Sequence, residues 1–184
     1  IAKASKKMGR NASEGLALVH YDSDKVAVIE INSETDFVAK NKDFINFNKE
    51  ISKINFEVFG DIEKIKLTKM ENGKSVNDNL IALISKIGEK ITIRRSKFFN
   101  EKNGNNFFYI HSAIEKNVGK IVSVVKILNN EDAVLGQKIA MHIAASNPLA
   151  IDASGIQKEI IDKELEIIKA ELINAGKKGE IAEK

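Results

Sequence analysis

EINSETDFVAKNKDF, residues 30–44, is the stretch on which the fold turns. Before it, GLALVHYDSDKVAVIEIN reads as a β-hairpin: Ala27, Ile29 and Ile31 make an apolar face, Val26, Val28 and Glu30 a mixed one, and DSD supplies turn chemistry. After it, Phe44, Phe47, Ile51 and Ile54 recur at steps of three and four, the period of an amphipathic helix. Ser33 to Asp36 fits a helix-start pattern, with Thr35 as a competing cap. At the joint a carboxylate and a phenyl ring, Asp36 and Phe37, stand side by side. Phe37 lies seven residues before Phe44, in phase with the apolar stripe, which predicts a core residue. Lys40 and Asn41 interrupt that stripe, so the ring also fits a wedge standing clear of the core. Spacing leaves both readings open.

Working outward, DIEKIKLTKMENGKS predicts a short helix and loop, and SVNDNLIALISKIGEK a second helix opened by Ser75 and stopped near Gly88. ITIRRSKFF alternates as a strand. The pattern then recurs. NFFYIHSAIEKNVGKIVSVVKILNNEDAVLGQKIAMHIAA is another hairpin followed by a helix, with YIHS matching LVHY and KIVSVVKI matching KVAVIEI. Its spacing predicts a longer turn in the second hairpin. The junction is NEKNGNN at 100–106, and the helix stops before the only proline, Pro148. The class is α+β: two related hairpin-plus-helix units with small antiparallel sheets, then a protruding helical segment. In that segment Ile161, Leu165, Ile168 and Leu172 form a narrow stripe on a Glu- and Lys-rich helix, which suits a coiled-coil seam ended by NAGKKG. The expected organisation is a basic lead-in at 1–13 (Lys3, Lys6, Lys7 and Arg10), a first core subdomain at 14–99, a second at 105–150 and a helical dimerisation segment at 151–184. The second core subdomain and the helical segment read as incomplete, because no strand matching ITIRRSKFF follows the second helix. A start at Ile1 and an end in charged helical GEIAEK give the expectation that both ends are cut from a longer protein.

Composition narrows the function classes. The 184 residues are 43% hydrophobic and 30% charged, enough for a core and a wetted surface. A net charge of +3 and 6% aromatic residues count against a nucleic-acid binder, although Lys3 to Arg10 and Arg94 to Lys97 are basic. The charges of RRSK equally suit the wet side of an edge strand. The absence of cysteine excludes disulfides and thiolate chemistry and fits a reducing compartment. Apolar runs such as LIALI are too short for a bilayer, and no signal-peptide pattern is present. His20, His111 and His142 are scattered, without metal-ligand spacing. His142, with Lys138 and Ser146, falls on the polar side of its helix. Asp22 and Asp24 resemble the start of a calcium loop but lack its glycine and closing glutamate, so a turn is expected. The 11 glycines lie apart and form no phosphate loop. The chain is therefore expected to be no enzyme and to carry no cofactor or metal.

NSETDFVAKNKDF resembles the signature of the elongation factor Ts family, the exchange factors for the GTPase elongation factor Tu in bacteria and organelles. KKMGRNASEGL, LISKIGEKITIRR and KIAMHIAASNP resemble further family segments in the same order, and EIIDKELEI and GKKGEIAEK look like the family's helical dimerisation module. The resemblance implies a fragment lacking the amino-terminal helical module and the end of the second core unit. It further implies that Thr35, Asp36, Phe37 and Val38 form a tip that enters elongation factor Tu. Phe37 would fill an apolar pocket and Asp36 would anchor the tip, loosening the partner's Mg²⁺ so that GDP leaves. By the same resemblance Ile87, Gly88 and His111 match further partner contacts, and Lys7 a basic position that contributes. The implied place of action is cytoplasmic, with homodimerisation through the helical segment and no nucleic acid or membrane as partner. The rival readings are a basic nucleic-acid-binding module and a purely structural dimerisation protein built on the Ile161 to Leu172 stripe.

Overall fold

The computed structural model describes residues 9–100, 104–129 and 131–176. Lys3, Lys6 and Lys7 lie outside them, as does the terminal GKKGEIAEK beyond Gly176. Contacts divide the chain into two compact units, 1–145 and 146–184.

In the first unit, strands β1 (Glu14–Asp22) and β2 (Lys25–Ser33) form the first hairpin. Four helices follow: α1 (Asp36–Ala39), α2 (Lys42–Glu57), α3 (Ile62–Leu67) and α4 (Val76–Ile87). Strand β3 (Thr92–Phe99) then pairs antiparallel with β2. The second hairpin is β4 (Asn105–Glu115) and β5 (Val118–Ile127), and helix α5 (Ala133–Ser146) follows it. The class is α+β, as expected. The two hairpins do not keep separate sheets: β1 meets β5 through Ala17–Gly119 and Leu18–Val118, giving one five-stranded sheet in the order β3-β2-β1-β5-β4.

Both hairpins turn through two residues, Ser23–Asp24 and Lys116–Asn117, so the longer turn expected in the second is not there. Its extra length is absorbed by a register shift between Ala113 and Glu115. A bulge of this kind adds a residue to one strand without lengthening the loop.

The helix expected to open at Ser33 and run through Ile54 is two helices. Lys40 and Asn41 close α1 by donating backbone N–H groups to Phe37 and Val38 carbonyls at 3.1 and 2.9 Å. The Asn41 side chain then starts α2 afresh, accepting from the Asp43 and Phe44 amides at 2.9 and 3.3 Å. An Asn cap satisfies donors that the new helix would otherwise leave orphaned. Neither Ser33 nor Thr35 caps α1 with its own hydroxyl; Ser33 Oγ instead donates to the Thr35 carbonyl at 3.0 Å. Ser75 does cap α4, accepting from the Asp78 amide at 3.0 Å, and Gly88 ends it in the left-handed region at φ +90°.

The core lies between the sheet and α2. Leu16, Leu18, Ile29 and Ile31 meet Phe44, Phe47, Ile51 and Ile54, with Val76, Leu83 and Ile84 of α4 closing one side. Val118 of the second hairpin joins the same core. Helix α5 approaches β4 so closely that a Cβ at Gly136 would sit 2.1 Å from the Phe107 ring.

The second unit holds a short 3-10 turn, Ala153–Gly155, and helix α6, Lys158–Asn174. Gly176, just past its end, takes φ +74°. Ile161, Leu165 and Ile168 line an apolar recess with Leu149, Ala153 and Ile156. Leu165 and Ile168 remain exposed, and Leu172 is half-buried. Among the described residues no helix is long and apolar enough to cross a membrane.

Candidate functional site

The end of β2 is tightly held. Ser33 is fully buried, and the buried Asn32 amide donates to the Glu14 carbonyl at 2.9 Å and to Glu30 Oε1 at 3.1 Å. From this fixed end the chain makes the single turn of α1. Successive helical residues point about 100° apart, so one turn can face two ways. Val38 and Ala39 go inward, 5% and 0% exposed, into the core cluster. Phe37 goes outward and is 78% exposed. The restart at Asn41 breaks the phase with Phe44, so the core placement that spacing alone predicts for Phe37 is overturned. Val38, beside it in the expected tip, points the other way, its side chain packed in the core cluster.

Asp36, beside Phe37, pairs with Lys40 one turn on at 3.0 Å. The hydrogen bond and charge of Lys40 hold its carboxyl below the usual aspartate value, with Lys120 of β5 adding a weaker pull. Lys120 itself donates to Glu14 at 2.8 Å. The tip thus carries an exposed ring and an ionised carboxylate together.

The end of α4 reaches the same place. Gly88 donates to the Ile84 carbonyl at 2.9 Å and turns the chain, which brings Glu89 beneath the start of α1. Glu89 Oε2 accepts from the Glu34 and Thr35 amides at 3.1 and 3.0 Å, and Oε1 accepts from the Thr35 hydroxyl at 2.7 Å. Glu34 answers by accepting from the Lys90 amide at 2.6 Å, and Arg10 lies 3.4 Å from its carboxylate. Thr35, Asp36 and Phe37 are in this way tied to the segment holding Ile87 and Gly88. Ile87 is half-buried against the core. His111 sits elsewhere, exposed on β4 opposite Ile121, its ring 6.2 Å from Tyr109. The Glu89 bonds do not include it. Lys7 lies outside the described residues.

Glu34 and Glu89 carry no mark in the sequence that singles them out. A carboxylate after the helix-ending glycine in KIGE is the one available signal, and its partners lie 54 and 55 positions away.

His20 packs on Phe56 at 4.9 Å, and His142 is exposed on α5. Arg94 and Arg95 both bond Glu30, Arg94 at 3.0 Å. Partial burial works to raise the Glu30 carboxyl, but the Arg95 hydrogen bond, the Asn32 amide and the two guanidinium charges outweigh it and hold the group low. Among the described residues no three His, Asp or Glu side chains are grouped to hold a metal.

A profile of the family described as elongation factor TS matches residues 34–184. Elongation factor Ts of Methylobacterium nodulans is 40% identical over 182 residues, covering 96% of this chain and 59% of that protein. The protein of the same name from Gluconobacter oxydans is 35% identical over 188 residues, covering 100% and 62%. That from Xanthobacter autotrophicus is 43% identical over 174 residues, covering 91% and 56%. The chain therefore spans about three fifths of the length of the curated relatives it matches. With the profile running from the Glu34–Glu89 contact through β3 and the second hairpin to the last helix, the chain belongs to the elongation factor Ts family.

Proposed function

We propose that the chain is the major part of a guanine-nucleotide exchange factor for elongation factor Tu, acting in translation elongation in the bacterial cytoplasm. One observation carries the reading beyond family membership: Phe37 stands 78% exposed on a turn whose next two residues are buried in the core. Exposing a phenyl ring forgoes roughly 2 kcal/mol of burial, and a ring held out on a fixed turn is a suitable anchor for a partner's apolar pocket. In this reading Phe37 fills such a pocket and Asp36 makes polar contacts beside it, with Ile87, Gly88 and His111 as flanking contacts. The docked tip loosens the partner's Mg²⁺, and GDP leaves.

The chain performs no bond chemistry in this scheme. It binds the nucleotide-free partner more tightly than the GDP-bound one. Linkage makes the effect reciprocal, so GDP or GTP must also weaken the factor's grip. The test is release of labelled GDP from elongation factor Tu with and without the chain, in Mg²⁺ and in chelator. The expected result is a clear acceleration in Mg²⁺ that shrinks in chelator, with Asp36→Ala losing less relative activity there. No acceleration in Mg²⁺ overturns the exchange reading. Equal acceleration in both conditions assigns the effect to phosphate or base contacts instead of the metal.

A further inference from the structure

We propose that Glu89 is a positioning residue for the Phe37 tip, an inference that rests on the exchange reading above. A helix of four residues cannot sustain itself, because fixing the first turn costs more entropy than its few bonds return. Its first N–H groups are orphaned, and the local hydroxyls that would ordinarily satisfy them point elsewhere: Ser33 Oγ to the Thr35 carbonyl and Thr35 Oγ1 to Glu89. Glu89 instead braces the two residues that lead into the helix, Glu34 and Thr35. One carboxylate takes the Glu34 and Thr35 amides on one oxygen and the Thr35 hydroxyl on the other.

The return bond from Lys90 N–H to Glu34 makes the tie mutual, each glutamate holding the other's loop. Two segments far apart in the chain are locked in register just before Phe37 leaves the surface. The Glu89 bonds go to Glu34 and Thr35, not to the Phe37 ring. They act by removing motion that docking would otherwise have to freeze, which improves binding without adding a contact.

The test uses the whole chain and two readouts. Amide hydrogen exchange on the chain alone reports the tie, and the factor concentration giving half-maximal GDP release from elongation factor Tu reports positioning. In Glu89→Ala, protection is expected to be lost at Glu34 and Thr35 while the α2 amides keep theirs. The half-maximal concentration should rise roughly tenfold, with the saturated rate nearly unchanged. Glu89→Gln should restore most of the affinity, since its carbonyl can accept both amides and its NH2 can donate to the Thr35 hydroxyl. Thr35→Val removes only the hydroxyl bond and serves if Glu89→Ala unfolds; a smaller rise in the same direction is expected. Retained protection in Glu89→Ala would overturn the proposal. So would lost protection with unchanged affinity while Phe37→Ala is impaired, and in that case the exchange reading stands. A wild-type chain that fails to accelerate GDP release overturns both.

Discussion

At Phe37 and Val38, two adjacent apolar residues carry opposite assignments, and substitutions should separate them. Phe37→Ala removes a ring that touches little of its own fold, so the melting temperature should hold while exchange falls. A docking aromatic contributes on the order of 2 kcal/mol, so GDP release at subsaturating factor should slow roughly thirtyfold. Val38→Ala empties core space and should cost about 2 kcal/mol, read as a drop of roughly 5 °C in melting, with exchange per folded molecule largely kept. A collapsed melt in Phe37→Ala with normal exchange would return Phe37 to the core. The sequence carried the identity of these residues but not their orientation. Seven residues from Phe37 to Phe44 is a helical spacing only if one helix spans them, and Asn41 shows that none does. Glu89 was hidden for another reason: its contacts are tertiary, and no local period encodes them.

Helices and strands were read more surely. The bounds of α4 follow from Ser75 and Gly88, two residues whose chemistry is local. In α2 the buried face is wider than the apolar stripe, taking in Asn48, Ser52 and Asn55. Packing against the sheet sets that width, and the Asn55 amide donates to the Val28 carbonyl at 3.1 Å. The β2–β3 pairing yields a pH prediction. The folded Glu30 carboxyl is held below its ordinary value, so its stabilisation is present above the unfolded value and is lost as pH falls through the folded one. Wild type and Glu30→Gln should differ by about 1 kcal/mol in urea unfolding near pH 7, and the two curves should converge once the pH falls below the folded value. A gap that persists in acid would mean that packing, not charge, accounts for Glu30.

For the molecule as a whole, the repeat of hairpin and helix was legible because each copy has its own turn and apolar face. Their union in one sheet was not, since the β1–β5 pairing involves only Ala17–Gly119 and Leu18–Val118. In the second unit the recess along α6 leaves Leu165 and Ile168 exposed, and exposed apolar stripes of this kind favour association. Sedimentation should show the average mass rising with concentration, and Leu165→Lys should suppress the rise. A monomer at every concentration, with α6 still helical, would dismiss the seam as a contact between copies. The narrow junction in the sheet has a mechanical side as well. Nine rungs bind β1 to β2, whereas the second hairpin hangs on two rungs, the Val19 amide to the Asn117 carbonyl, and side-chain ties such as Lys49 to Glu115. Of the two joints that β1 makes, the one to the second hairpin is therefore the one with less main-chain pairing to resist separation.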